Sequence, residues 1–271
     1  MRKISTQETK DFITLPAKLE GSLSPFYWSL PPSTLELPSN EVHVWLTKLN
    51  SLTRHAQQMA QCLNEDESVR AQRFHFEQDK ERFIVCRGAL RTIIGRYLHI
   101  EPSGVRFSYG PHGKPYLEET VGDGTLQFNI GHSNDIALCA FTRCREIGVD
   151  IEYIRDLPDA DQIAYRFFSA DEIATLNSLP VSQRPQAFFN CWTRKEAYIK
   201  AIGKGLSQPL DQFEVSLAPG APASLLSVRG APEEASRWSL KALTPASGYA
   251  AALAVEGHNW RPAFWQFPVS T

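Results

Sequence analysis

The sequence contains no CxxC pair, no G-x-S-x-G turn and no long apolar run, and each absence removes a class of function. Its five cysteines (Cys62, Cys86, Cys139, Cys144, Cys191) are odd in number and scattered, which excludes a disulfide framework or a zinc ribbon. They read as reduced thiols of a cytoplasmic protein, some of them filling core. Without a nucleophile elbow or a convincing Cys–His pair, catalysis through a protein nucleophile is not expected. No segment approaches the roughly 18 apolar residues of a membrane span. The opening residues Met1 to Leu15 scatter their charge and lack the apolar stretch of a signal peptide. A net charge of −2 leaves no basic excess for a nucleic-acid coat or a membrane anchor. What is present is ordinary globular composition: 271 residues, 42% apolar and 21% charged, enough for one large domain or two modest ones.

Residues 1–40 carry five prolines (Pro16, Pro25, Pro31, Pro32, Pro38) among many Ser and Thr, and read as an irregular arm laid down through Phe26, Tyr27 and Trp28. Glu41 to Leu46 alternates as a strand. Residues 65–98 have helical spacing, with Phe83, Cys86, Ala89, Leu90, Ile93, Ile94 and Leu98 forming an apolar stripe beside basic residues. Strand patterns follow at 104–109, 126–130, 136–142 and 147–154, helical ones at 160–179 and 185–202, and strands again at 213–217, 238–243 and 249–255. Sliding the chain until Ala89 falls on Ala197 also places Ile94, Gly95, Leu98 and Ser108 on Ile202, Gly203, Leu206 and Ser216. The helix-then-strand pattern matches in both copies. This spacing predicts an α+β fold of two similar halves, 41–146 and 147–271, with a site in the cleft between them.

The segment from Ile147 to Ile154 is the first chemical signal. Strand alternation puts Ile147, Val149, Ile151 and Tyr153 on one face, and Asp150 and Glu152 on the other. Two carboxylates on one face repel unless water or a cation lies between them; oxygen ligands of this kind suit Mg²⁺. A solvated acidic edge is the plainer alternative. The second signal is Cys191 to Leu206, whose helical spacing aligns Trp192, Glu196, Ile199 and Lys200, with Lys195 and Lys204 on adjacent turns and Gly203 and Gly205 as stops. Taken alone, Glu196 and Lys200 are an ordinary surface ion pair. The third is Phe128-Asn-Ile-Gly-His-Ser, which places His132 and Ser133 on a loop just after a strand; an amide-capping turn is the competing reading.

In this order the segments resemble the Sfp-type 4′-phosphopantetheinyl transferase family. The residues that carry the likeness are Gly113-Lys114-Pro115, Phe128 to Ser133, Gly148-Val149-Asp150-Ile151-Glu152, Arg166-Phe-Phe-Ser-Ala-Asp-Glu172 and Trp192 to Leu206, over a span of about 65–217. It departs from the family at Gly131, where Ser is common, and at Glu67, where the family has a lysine.

The resemblance implies two halves related by a pseudo-twofold and a transfer of 4′-phosphopantetheine from coenzyme A to a serine of a carrier protein. It implies Mg²⁺ held by Asp150, Glu152 and Glu196, with Asp150 also at the coenzyme, and phosphate charge neutralised by Lys195 and Lys200. His132 and Ser133 would contact the nucleotide, Lys114 and Pro115 would lie beside the adenine, and Arg70 and Arg82 would form the basic grip. Glu196 would take the serine proton, Lys200 would stabilise the leaving group, and Glu172 would orient a lysine. The partners implied are acyl carrier proteins or the carrier domains of polyketide and peptide synthases, met by a monomer partly through residues 203–217, where Leu206, Leu210 and Phe213 read equally as core. The rival readings are a coenzyme A-binding module without chemistry and a Mg²⁺-dependent phosphohydrolase.

Overall fold

The computed structural model describes residues 28–268. The elements in chain order are β1 (Glu41–Lys48), two short helices α1 (Leu49–Leu52) and α2 (Ala56–Ala60), α3 (Glu65–Gln72), α4 (Glu77–Leu98), β2 (Phe107–Tyr109), β3 (Pro115–Leu117), β4 (Leu126–Ser133), β5 (Ile136–Arg143), β6 (Ile147–Tyr153), α5 (Ala160–Phe167), α6 (Ala170–Ser178), α7 (Arg184–Ile202), β7 (Phe213–Val215), β8 (Leu225–Val228), β9 (Trp238–Leu243), β10 (Tyr249–Glu256) and β11 (Arg261–Gln266). The fold is α+β. One sheet runs β11-β1-β5-β4 and a second β6-β10-β9. β10 and β6 are antiparallel, as are β5 and β1, so each first strand is closed by the last strand of a later hairpin. In both units a long helix (α4, α7) and a small two-stranded ribbon (β2-β3, β7-β8) lie between those strands. The expected repetition is thus visible as topology, with Ala89 on α4 and Ala197 on α7.

Alternation explains the layers. Trp45, Cys139 and Phe141 turn toward α4, while their neighbours Val44, Leu138 and Ala140 pack against Val149, Ile151 and Leu253 of the second sheet. On the far side of that sheet, Ala250, Ala252 and Ala254 of β10 meet Ala197, Ala201 and Phe213 under α7. The order is helix, sheet, sheet, helix. Small residues on β10 and Gly148 on β6 let α7 sit almost on the strand backbone.

Several boundaries differ from the sequence pattern. The expected helix over 65–98 is broken between α3 and α4, and that over 160–179 is broken before α6. At the second break a capping box, Ser169 with Glu172, starts α6 afresh; at the first, α4 restarts after an extended Phe76 without a side-chain cap, and another capping box, Asn64 with Glu67, opens α3. The last strand, β11, pairs in parallel with β1, so the tail of the chain joins the first sheet. Of the arm, Ser29 bridges to Trp265 and Leu35 and Leu37 are buried; residues 1–27, with Phe26 and Tyr27, lie outside the described residues. No helix among the described residues is long and apolar enough to cross a membrane. All five cysteines are free.

Candidate active site

β6 and α7 bring Asp150, Glu152, Glu196 and Lys200 together. Asp150 is buried, and its Oδ1 accepts from Lys200 Nζ at 2.6 Å. Its other oxygen, Oδ2, is fully buried and has no hydrogen-bond partner, a costly situation for a carboxylate and one that a ligand would relieve. Burial first, and then the like charge of Asp150, hold the Glu152 carboxyl above its usual range. Burial likewise raises Asp150. Glu196 is pushed up to about 7, by burial first and then by Asp150 and Glu152, with Lys200 opposing. For Lys200, burial favours the neutral amine, but Asp150, Glu196 and Glu152 outweigh it and raise its pKa. Burial reinforced by like charge in this way is what gathers perturbed carboxyls at functional sites.

The expected three-carboxylate metal cage is not formed by the side chains as they stand. Among the described residues no three His, Cys, Asp or Glu side chains are gathered tightly enough to hold an ion. The Lys200 ammonium supplies the positive charge at Asp150, and Glu152 is drawn toward Ser133. The donor chemistry nevertheless fits a hard divalent ion: all three groups are carboxylates, the charge of Asp150 raises both glutamates, and one buried oxygen is unspent.

His132 and Ser133 end strand β4 rather than forming a loop; the turn follows at Asn134, whose φ is 51°. Residues 129, 131 and 133 of β4 face the backbone of β6. Asn129 Oδ1 accepts from Val149 N at 3.0 Å, and Ser133 Oγ accepts from Tyr153 N at 3.0 Å. Ser133 Oγ then donates to Glu152 Oε2 at 2.9 Å. Ser133 therefore corrects the expectation of a nucleotide contact: its hydroxyl is spent on pinning β6 and aiming Glu152. Gly131 sits between them, and a Cβ there would come within 3.0 Å of Val149 O, which explains why no serine is accommodated without a shift. The exposed ring of His132 has its pKa lowered by the desolvation around it and by Lys200 and Arg70, and is neutral at pH 7.

A cleft of about 630 Å³ runs from Lys200 and His132 past Gly131, Pro115 and Gly113 to Arg82, Arg70 and Arg87. It adjoins a second cavity of about 710 Å³ that shares Arg70, Arg87 and Tyr109. Arg70, Arg82, Pro115 and His132 all line this cleft. Lys114 does not. Its ammonium is held by Glu146 Oε2 at 2.8 Å and by the Ala201 carbonyl at 2.7 Å, at the C-terminal end of α7. Cationic side chains are stabilised at that end of a helix, and this contact ties the 110–114 turn to α7 instead of reaching the cleft.

Lys195 is a second correction. It is fully buried, donates to the carbonyls of Leu210 (2.7 Å) and Phe213 (2.6 Å), and pairs with Glu172 Oε2 at 2.8 Å. Glu172 also accepts from Val215 N and Ser169 N. This lysine holds the chain after α7 to α6 and neutralises no phosphate. Leu210 and Phe213, offered as part of a docking face, are buried in the same region and belong to the core. Replacing Lys195 by alanine leaves Glu172 as an uncompensated buried charge, a loss of about 3–5 kcal/mol. Thermal denaturation is expected to show a fall on the order of 10 °C. A melting temperature unchanged within about 2 °C contradicts the assignment.

Two family models match the chain: "4′-phosphopantetheinyl transferase, N-terminal" over residues 48–143 and "4′-phosphopantetheinyl transferase superfamily" over 146–254. The chain is similar to the 4′-phosphopantetheinyl transferase HetI of Nostoc sp., with 42% identity over 89% of this chain and 98% of that one. It is 34% identical to the 4′-phosphopantetheinyl transferase Sfp of Bacillus subtilis, over 57% of this chain and 66% of that one. A phosphopantetheinyl transferase of Thraustochytrium sp. is 26% identical over 82% of this chain and 81% of its own.

Proposed function

The chain belongs to the 4′-phosphopantetheinyl transferase superfamily, and from that premise we propose that it moves 4′-phosphopantetheine from coenzyme A to a serine of an apo carrier protein, in a Mg²⁺-dependent reaction. The observation that carries this reading is the meeting of Asp150, with its unspent buried oxygen, and Glu196 with Lys200, which lines one end of a cleft whose other end is lined by arginines. That distribution suits a substrate with a diphosphate at one place and a further phosphate at another.

Asp150, Glu152 and Glu196 would hold the Mg²⁺, which when bound withdraws charge from diphosphate oxygens. Glu196, with a pKa near neutrality, takes the proton of the attacking serine hydroxyl. The serine oxygen forms its bond to phosphorus as the bond to the 3′,5′-adenosine bisphosphate breaks, and Lys200, four residues along α7, neutralises the departing oxygen. Neutral His132 donates one hydrogen bond to a phosphate oxygen, and Ser133 keeps Glu152 in place. One chain supplies both sheets and both long helices, so a monomer suffices. Incubating the protein with an apo carrier, coenzyme A and Mg²⁺ should add a phosphopantetheine to the carrier's intact mass. Failure with every class of carrier sinks the reading; release of adenosine bisphosphate without a carrier favours hydrolysis instead.

The acidic cluster also fixes a pH dependence. A carboxyl raised in the folded state holds its proton there more tightly than in the unfolded chain. Its cost to stability is therefore absent below about pH 4.5, grows as pH rises, and is complete above the raised pKa, about 7 for Glu196. The metal-free protein should lose stability over that window. Excess Mg²⁺, compared with EDTA, should raise the melting temperature more at about pH 8 than at about pH 5.5. Equal shifts at the two pH values contradict a shared acidic site.

A further inference from the structure

Outside the cleft, one polar contact ties the two sheets together, and the reaction just described gives it no task. Tyr249 opens strand β10 and is buried with Ile151, Leu253 and Val44 in the space between the sheets. Its hydroxyl donates to Asp135 Oδ1, in the two-residue connection Asn134-Asp135 between β4 and β5. That connection is tight: Asn134 holds a left-handed φ of 51°, and the Asp135 carbonyl accepts from Leu49 N at 2.7 Å. The Tyr249 ring meets the Tyr153 ring edge to face, with centroids 5.1 Å apart. Tyr249 thus grips two places at once. Asp135 lies two residues after Ser133, and Tyr153 lies one residue after Glu152. Between them runs the contact in which Ser133 Oγ accepts from Tyr153 N and donates to Glu152 Oε2. Tyr249 does not itself line the cleft, so it acts through these neighbours or not at all.

We propose that Tyr249 and Asp135 are positioning residues for the transfer: their hydrogen bond holds the 133–135 turn to the second sheet and so keeps Ser133 on Glu152. The proposal rests on the acidic cluster being the reacting site. β4 and β6 belong to different sheets and share no backbone ladder. Side chains take the place of one: Asn129 holds the seam at Val149 N, and Ser133 holds it at Tyr153 N. Asn129 is buried in mid-strand, but Ser133 stands at the end of β4, where a hairpin tip is freest to move. A hydroxyl donating to a carboxylate makes a strong, directional bond. Placed two residues beyond Ser133, it restrains that tip from the sheet that carries Glu152, as the Leu49 contact does from the other. A reacting group displaced by about 1 Å can lose a hundredfold in rate, so restraint at this remove is kinetically visible.

Tyr249→Phe keeps the ring and its contact with Tyr153 and removes only the hydroxyl. Measured by intact mass, kcat for carrier loading should fall roughly tenfold while KM for coenzyme A changes less than about twofold. The melting temperature should stay within about 4 °C, because Asp135 is only partly buried and water can replace the hydroxyl. Asp135→Ala should match this loss, whereas Asp135→Asn, which keeps an acceptor, should retain at least about half of the rate. Should Tyr249→Phe melt far below that range, the two Asp135 variants decide alone. Since Tyr249 acts through Ser133, adding Tyr249→Phe to Ser133→Ala should slow that variant by less than about twofold. An unchanged kcat, a loss in KM alone, equal losses in Asp135→Ala and Asp135→Asn, or full additivity with Ser133→Ala overturns the proposal. Amide hydrogen exchange of the full chain separates it from the transfer reading. The Tyr153 amide should exchange about tenfold or more faster in Tyr249→Phe, with Leu253 in mid-β10 unchanged. A protein that loads no carrier yet shows that change sinks the transfer reading and leaves the clasp in place. No change at Tyr153 sinks the clasp, whether or not carrier is loaded.

Discussion

Asp150→Asn should lower carrier loading by at least about a hundredfold while the melting temperature holds or rises. The two halves of this result have one cause. The Asp150 carboxylate is buried with an unspent oxygen, and it raises the pKa of both Glu152 and Glu196. In the resting fold it is a source of repulsion, offset in part by Lys200 at 2.6 Å. Asparagine keeps the volume and removes the charge, so Glu152 and Glu196 relax toward ordinary carboxyl behaviour and Lys200 turns to them. What is lost is transition-state charge management: removing one such group from a buried site typically costs about 10²–10³ in rate. Stability given up for function is the expected pattern at such a site. Intact-mass kinetics of carrier loading and a thermal melt, run on the same preparation, test both parts. A variant that loads carrier normally removes Asp150 from the reaction. A variant that loses activity only by unfolding makes it a structural residue.

Much of the site is legible in the sequence because it depends on local periodicity. Alternation in β6 separates Asp150 and Glu152 from Ile147, Val149 and Ile151, and the helical interval from Glu196 to Lys200 sets both on one face of α7. The same interval, followed further, excludes Lys195: one residue before Glu196, it is turned about 100° around the helix axis, toward Glu172 and the chain after α7. Other placements depend on contacts between distant segments, which spacing does not encode. Lys114 meets Glu146 and the end of α7 only because the two units pack together, and Ser133 reaches Glu152 across two strands of different sheets. Arg87 looks like one more basic residue beside the apolar stripe of α4 until its ion pair with Glu67 is seen. The strands β8 and β11 escape for a related reason. β8 is only four residues long, and β11 contains Pro262, which suits its place at the edge of the first sheet.

Gly148→Ala should be the most damaging single-methyl substitution in the chain, with a fall in melting temperature of roughly 6–12 °C and a loss of most carrier loading. Glycine within a strand marks a close approach by another backbone, and here that backbone is α7. A Cβ at 148 would sit inside the contact distance of the Ala197 carbonyl oxygen and at 2.5 Å and 3.0 Å from N and Cα of Ala201. None of these atoms is the end of a flexible side chain, so relief requires β6 and α7 to part. Overpacking in a tight core costs about 1–3 kcal/mol or more, and a chain of this size loses about 2–4 °C per kcal/mol. The upper end applies because the obstruction is main chain on both sides. The functional loss has the same origin. β6 carries Asp150 and Glu152, α7 carries Glu196 and Lys200, and the small residues Gly148, Ala252 and Ala254 set the spacing between the two groups. Gly104→Ala is the control, since a Cβ there meets nothing within 4 Å. Should Gly148→Ala melt and load carrier like that control, the contact between β6 and α7 does not set the geometry of the reacting groups, and the acidic strand and the acidic helix would have to be treated as separate sites.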